Sequence, residues 1–287
     1  MHFAKWQGLG NDYIIVESAE VPATLTTEAI GLLCDRHLGV GGDGILVHLP
    51  PSGAIPGAAA RMRIYNPDGG EPEMCGNGIR MFARYLQQRG AVEADEFVVE
   101  TLAGPIIPRL LSDGRVRVHM GTARFRSDNI ALASGGADDE VVQQRLEALG
   151  VSYTFTFVDV GNPHCVIEVG DLSDLPLDTV GPAIEYSSLF PNRVNVEFIH
   201  READGSVGMR VWERGVGETQ ACGTGATAVG AAAVRRGLAR SPVTVHLLGG
   251  DLEIEVASDY QVIMTGPAEE AFSGELSDSL AARLGWG

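Results

Sequence analysis

Lysine is almost absent: Lys5 stands alone among 287 residues, and arginine supplies the rest of the 21 cations. A Schiff-base mechanism would therefore rest on one side chain. Acidic residues number 38, which leaves a formal net charge of −17. So acidic a chain is repelled by nucleic acid and anionic lipid, and no basic stripe escapes the trend. No apolar run reaches 18 residues, so no membrane span is expected. The first 19 residues also lack the basic-then-apolar order of an export signal. Cysteine is sparse: Cys34, Cys75, Cys165 and Cys222, with no CxxC pair. That spacing excludes a zinc ribbon and a disulfide scaffold, and predicts free thiols in a reducing cytoplasm. With 45% hydrophobic and 21% charged residues the chain is not disordered.

What is abundant is glycine, 37 residues with no collagen period, which points to tight turns and close backbone approaches. The chain also repeats itself. Met62-Arg63-Ile64-Tyr65 is echoed by Met209-Arg210-Val211-Trp212, and Cys75-Gly76-Asn77-Gly78 by Cys222-Gly223-Thr224-Gly225, each at an offset of 147. Gly10-Asn11 and Gly161-Asn162 match at an offset of 151. Three echoes in one order predict two copies of one fold, residues 1–118 and 119–262, with 263–287 returning to the first half.

Short apolar or alternating stretches predict strands at Phe97–Glu100, Arg115–His119, Phe155–Val160, Cys165–Val169, Val194–Ile199, Val207–Trp212, Val243–Leu247 and Glu253–Val256. Asp113-Gly114, Asp204-Gly205 and Gly249-Gly250 predict hairpins between them. Helices are expected at Thr26–Cys34 behind a threonine cap, at Ile79–Gln88, and at Ala226–Arg236, stopped by Gly237. The last is small and apolar enough to be buried. The expected class is α/β (α+β): two pseudo-symmetric halves, each a curved, mostly antiparallel sheet wrapped around a central helix.

Each Cys-Gly-x-Gly turn leads directly into a central helix. A cysteine there lies near unpaired N–H groups and the positive end of the helix dipole, both of which favour a thiolate. The small residues that follow leave those amides open to a substrate carboxylate. Two such thiols could form a redox disulfide, ligate a metal with help from His164 or Glu213, or serve as base and acid on opposite faces of one carbon. The third use draws on both symmetrically and needs no PLP lysine. His164 could also be a satisfied loop histidine, and Glu213 a partner of Arg210 or Arg214.

The chain also carries Lys5-(x)2-Gly8-Leu9-Gly10-Asn11-Asp12, Arg36 through Gly44 (RHLGVGGDG), Tyr65-Asn66-Pro67-Asp68-Gly69, Glu73 through Arg80 (EMCGNGIR), Gly161-Asn162-Pro163-His164-Cys165, Arg193-Val194-Asn195, and Glu213 through Ala226 (ERGVGETQACGTGA). Together these motifs resemble the diaminopimelate epimerase family. The resemblance implies interconversion of LL- and meso-diaminopimelate in lysine and peptidoglycan precursor biosynthesis, by a PLP-independent isomerase with no cofactor and no metal. It implies an active site between the halves, with Cys75 and Cys222 as base and acid and with His164 and Glu213 adjusting the thiols. The amides of Gly76, Asn77, Gly223 and Thr224 would hold the reacting carboxylate. Asn11, Asn66, Asn162, Asn195, Glu213 and Arg214 would bind the remaining groups. A homodimer is usual in the family, and a small molecule, rather than nucleic acid or membrane, would be the partner.

Departures from the family pattern are few. Gly44 stands where some members carry glutamine, Met81 where cysteine is common, and Gly70 where serine is common. Cys34 and Cys165 are expected to be structural. Two readings compete: a racemase for a cyclic amino acid such as proline, which would not use the remote head-group set, and a small-molecule binding protein switched by oxidation of Cys75 and Cys222.

Overall fold

The computed structural model describes residues 1–22, 24–126, 130 and 139–286. They form two compact units, residues 1–118 with 266–287, and residues 119–265.

The first unit begins with β1 (His2–Gly8) and β2 (Asn11–Glu17), then α1 (Thr27–Cys34), β3 (Gly44–Leu49), β4 (Ala58–Tyr65), α2 (Gly76–Gln88), β5 (Val98–Thr101) and β6 (Gly104–Ile106). The hairpin of β7 (Pro108–Leu110) and β8 (Val116–Thr122) follows, and β8 carries the chain into the second unit. That unit continues with β9 (Gln144–Ala148), β10 (Val151–Asp159), β11 (Pro163–Glu168), α3 (Leu177–Glu185), β12 (Asn195–Arg201), β13 (Val207–Glu213), β14 (Gly217–Glu218), α4 (Gly223–Arg235), β15 (Val243–Leu247), β16 (Gly250–Val256) and β17 (Gln261–Gly266). Finally β18 (Glu269–Glu275) and α5 (Asp278–Leu284) return to the first unit, where β18 pairs with β1. The return starts at Gly266 rather than 263, because β17 pairs with β16 through Thr265.

Both sheets are open and mostly antiparallel. The first runs β18-β1-β2-β3-β4-β5-β6, and in the second the path from β17 runs β16-β15-β13-β12-β11-β10-β9 with β14 on β13. The parallel pairs are β2–β3 and β4–β5 in the first, β11–β12 and β13–β15 in the second. Strand-strand-helix-strand-strand-helix-strand-strand is thus written twice, from β1 to β6 and from β10 to β16, the two-residue β14 apart.

The central strands of each sheet are buried on both faces, so more than one helix per unit is needed. In the first unit Ile14, Val16, Ile45 and Val47 pack with Ala29, Ile30 and Leu33 of α1. Strand alternation sends Tyr13, Ile15 and Leu46 to the other face, where Trp6 meets Tyr85 of α2 edge-on. In the second unit Phe155, Phe157, Val196 and Phe198 pack with Leu177, Val180 and Ile184 of α3. The opposite face, including His164 and Glu197, belongs to α4, which packs on β10–β13, β15 and β16. Strands buried on both sides read as unbroken apolar runs, which is why β1 to β3 carry no period-2 signal, whereas β4 alternates through Arg61-Met62-Arg63-Ile64. The α3 helix escaped sequence reading because Pro176 caps it and Pro182 lies inside it.

The anticipated strands and helices otherwise appear, with shifted ends. Thr26 caps α1 through its side chain, α2 starts at Gly76 and α4 at Gly223. Residues 274–284 supply the end of β18 and the short α5. The buried α4 lies so close to β16 that a Cβ on Gly230 would meet Ile254 Cγ2 at 2.5 Å.

Candidate active site

Both cysteines of the repeated turn are N-caps. Cys75 and Cys222 have extended backbones, and each sulfur accepts a hydrogen bond at 3.3 Å from the amide three residues on, Gly78 or Gly225. Glycine is fitted to that place. A Cβ on Gly78 would lie 3.2 Å from Cys75 Cβ, and one on Gly225 the same distance from Cys222 Cβ. The amides of Gly76, Asn77, Gly223 and Thr224 belong to the first helical turns, where a helix provides no acceptor. An anion placed there meets aligned donors and a positive dipole end.

Around Cys75 the first unit builds a chain of polar contacts. Asn77 is buried on α2 and donates its amide to Asn11 Oδ1 at 3.0 Å. Asn11 donates to Asp43 Oδ2 at 2.8 Å, and Arg36 bridges Asp43 and Asp12 at 2.7 Å each. Lys5, buried, closes the chain on Asp12 at 2.6 Å and on the Gly41 carbonyl. Burial would lift the Asp12 carboxyl, but Arg36 and Lys5 outweigh it and hold it at about 2. Asn66 sits in the turn after β4, its amide bonded to the Gly70 carbonyl at 2.8 Å. One turn into α2, Arg80 is wholly buried and donates to the carbonyls of Gly76 (3.1 Å) and Pro267 (3.2 Å). Burial pulls its guanidinium down to about 10, and the charge of the Cys75 sulfur pulls it back up.

The second unit surrounds Cys222 with different groups. The thiol lies 3.5 Å from Thr224 Oγ1 and feels the carboxyl of Glu213, which accepts from the Thr219 hydroxyl. Burial pushes the thiol well above its usual range, and the carboxylates of Glu213 and Glu197 push it further. Burial likewise raises the Glu213 carboxyl, against the pull of Thr219 and Cys222. His164 is not in a loop: it is wholly buried on β11, Nδ1 2.6 Å from Glu197 Oε1 and Nε2 2.9 Å from Asn162 Oδ1. Asn162 donates in turn to Thr224 Oγ1 at 3.3 Å. Asn195 donates to the Pro163 carbonyl and accepts the Arg214 amide, 2.9 Å each.

Arg214 is exposed, its guanidinium 3.4 Å from the Asn192 carbonyl. Arg210 pairs with Glu218 at 2.8 Å, so Glu213 is not its partner. Cys34 and Cys165 are buried and both thiols are raised by burial, Cys34 to about 11. No group of three or more His, Cys, Asp or Glu among the described residues is arranged to hold a metal ion. No described helix is long and apolar enough to cross a membrane.

Within its own unit each cysteine stands in one network with several of the named residues: Gly76, Asn77 and Asn11 in the first, Gly223, Thr224, Asn162, His164 and Glu213 in the second, while Asn66, Asn195 and Arg214 make other contacts. Sequence reasoning missed Arg80, Asp43, Thr219 and Glu197. The signal for Glu197 was a carboxylate flanked by Val196, Phe198 and Ile199 in a stretch expected to be a strand.

A family model described as diaminopimelate epimerase matches residues 3–126 and 156–270. A diaminopimelate epimerase of Pelotomaculum thermopropionicum is 50% identical, covering 96% of this chain and 98% of that protein. One of Moorella thermoacetica is 48% identical over 96% and 99%. Among solved structures, a Bacillus anthracis phenazine biosynthesis protein of the PhzF family aligns with a TM-score of 0.65 at 18% identity, over 96% and 99% of the chains. A probable proline racemase of Agrobacterium radiobacter with bound carbonate aligns at 0.68 and 15%, over 96% and 93%. At such identities these two speak for the fold alone.

Proposed function

Since the chain belongs to the diaminopimelate epimerase family, we propose that it interconverts LL- and meso-diaminopimelate by a two-thiol mechanism, using neither PLP nor a metal. The observation that carries this reading is the duplicated cap: two cysteines, each at the head of a helix, each holding its sulfur on the amide of the third helical residue. One thiolate removes the Cα proton and the other thiol delivers a proton to the opposite face of the same carbon. The amides of Gly76, Asn77, Gly223 and Thr224 hold the carboxylate onto which charge spreads in the transition state. A Cα–H is a weak acid, so such donors matter more to the rate than to ground-state binding.

Cys75 and Cys222 are the acid–base pair, and they exchange roles with the direction of reaction. His164 and Glu213 adjust the thiols. Asn11, Asn66, Asn162, Asn195 and Arg214 bind the other groups of the substrate, where a guanidinium fork suits a carboxylate and asparagine serves both donor and acceptor. The paired order of strands and helices supports a pseudo-symmetric architecture, each sheet curved around its cysteine-capped helix. A cytoplasmic homodimer serving lysine and peptidoglycan precursor synthesis fits the family.

The test is conversion of LL-diaminopimelate in deuterium oxide by reduced, metal-free protein without PLP. The expected result is meso product with solvent deuterium at the inverted carbon. Folded protein with free thiols that gives neither product nor exchange overturns the reading and sends the search to other amino acids.

A further inference from the structure

Glu197 is the least expected group in the second unit. It lies on β12 with no exposed surface, on the α4 face of the sheet, between Val196 and Phe198 that pack the other way. In the register of the parallel pairs, Gly44 faces Tyr13 and Asn195 faces His164, so Leu46 occupies in the first unit the place of Glu197 in the second. Neighbouring contacts agree. A Cβ on Gly78 would meet Leu46 Cδ2 at 3.3 Å, and one on Gly225 would meet Glu197 Oε1 at 3.0 Å. One repeat fills the space behind the cysteine cap with a methyl group, the other with a carboxylate. A buried charge costs several kcal/mol unless its partners are well placed, and in the first unit's sheet leucine fills the equivalent place.

We infer that Glu197 is a positioning residue of the second half-site, a fixed buried carboxylate that orients His164 through Nδ1 and stands behind the Gly225 amide that caps Cys222. This rests on the epimerase reading given above. A carboxylate only accepts, so the 2.6 Å contact places a hydrogen on Nδ1 of His164. The other nitrogen then meets Asn162, which reaches Thr224 beside the sulfur. Glu197 Oε2 is buried with no hydrogen-bond partner, so the side chain is held through Oε1 and His164.

The titratable groups that face Cys222 are Glu213 on β13 and Glu197 on β12, with His164 on β11 one contact further. The buried positions of β10, β15 and β16 carry no charged residue. α4 itself contributes the Thr224 hydroxyl and the Gly225 amide. Two carboxylates against these neutral donors keep the second thiol in its proton-donating form, as burial does. Removing one of them should lower the pH at which the thiol ionises.

The experiment compares wild type, Glu197→Gln and Glu197→Leu. Gln keeps an acceptor for His164 and loses the charge; Leu copies the first unit and loses both. The pH profile of alkylation at Cys75 and Cys222 is read separately by peptide mass, alongside kcat, KM and thermal unfolding. For E197Q the Cys222 midpoint is expected to fall by about one pH unit while that of Cys75 stays in place, with kcat down about 10-fold and KM within about twofold. E197L should lower kcat further, since His164 loses its acceptor. A Cys222 midpoint unchanged in both folded variants overturns the inference, as does a shift of equal size at Cys75. Alkylation needs no turnover, so it decides the role of Glu197 even if wild type fails to epimerise diaminopimelate, a result that would sink the epimerase reading alone.

Discussion

The helices behind Cys75 and Cys222 have the same length, thirteen residues, and the same cap. They also share a lateral contact, since Asn77 meets Asn11 and, 147 and 151 residues later, Thr224 meets Asn162. The groups behind the caps differ in kind. Arg80 and Thr227 stand one turn inside the helices at equivalent positions, and both donate to the carbonyl four residues back, Gly76 at 3.1 Å and Gly223 at 2.8 Å. The first is a buried cation and the second a neutral hydroxyl. Asn66 stands where Glu213 recurs, Leu46 where Glu197 recurs, and Tyr13 where His164 recurs. Duplication preserved the backbone that presents a thiol and its amides. The electrostatic setting then diverged, with positive charge beside one sulfur and negative charge beside the other. A reaction that moves one proton from a carbon to one thiol while another thiol gives one up needs two groups of similar build and opposite protonation.

The strongest way to break the comparison is to remove the sulfurs. Cys75→Ser and Cys222→Ser should each reduce kcat by about a thousandfold or more, since a serine hydroxyl ionises far above neutral pH. Deuterium exchange without net inversion, surviving in one variant only, would identify which thiol attacks each isomer. Wild-type turnover in either variant would remove that cysteine from the mechanism.

Next in size is the buried cation. Arg80→Met keeps the volume and removes the positive charge that the structure places beside Cys75. Alkylation of Cys75 at neutral pH should slow about 10-fold and that of Cys222 should not change. Because the guanidinium also satisfies two carbonyls, thermal unfolding should move down as well. Thr227→Val, the matching change in the other helix, should leave Cys222 alkylation within about twofold. Equal effects of the two variants on their cysteines would show that the helices do not differ electrostatically.

A third test concerns packing. Gly230 corresponds to Ala83 of the first helix, yet its Cβ would enter Ile254. Gly230→Ala should cost about 1–3 kcal/mol in denaturant unfolding, whereas Ala83→Gly should cost about 1 kcal/mol through helix propensity. A stabilised Gly230→Ala would mean that α4 has room to move on its sheet.

Much of this was legible in the sequence because repeats and caps are local. Cys75 and Cys222 pointed to both central helices, expected from Ile79 and Ala226 and found from Gly76 and Gly223, and Asp204-Gly205 marked the hairpin whose register pairs Arg201 with Val207. What stayed hidden depended on tertiary partners. His164 reads as a loop residue beside Pro163, and only the parallel pairing of β11 with β12 sets it against Glu197. Arg80 looks like the polar face of an amphipathic helix until the return of the chain at Pro267 closes over it. In the same way β1 to β3 gave no alternation because both faces of those strands are covered. Pairing over 33 residues, or over 187, is not written in any short window.

The smallest effect expected is in the acid range, and it sets the two units against each other. Asp12 ionises at about 2 in the folded chain against an ordinary 3.8, so its ion pairs contribute stability above pH 3.8 that is lost as pH falls through 2. Glu213 is shifted the other way, raised above 4.5 by burial. Its protonation favours the folded state below its ordinary value, and that contribution is lost as pH rises through the folded value. Going from pH 6 to pH 4.5 should therefore strengthen the second unit and leave the first alone, while going from pH 4 to pH 2 should weaken the first. Each step is worth about 1 kcal/mol or less, because Arg36 brings solvent to Asp12 and Glu213 keeps partial partners. Amide exchange, corrected for intrinsic rates, should show α4 amides gaining protection over the first interval and α2 amides losing it over the second. Parallel changes in both helices would mean that global charge, and not these two carboxyls, governs the acid limb. Asp12→Asn would then leave the α2 response intact, whereas a local origin requires that variant to abolish it.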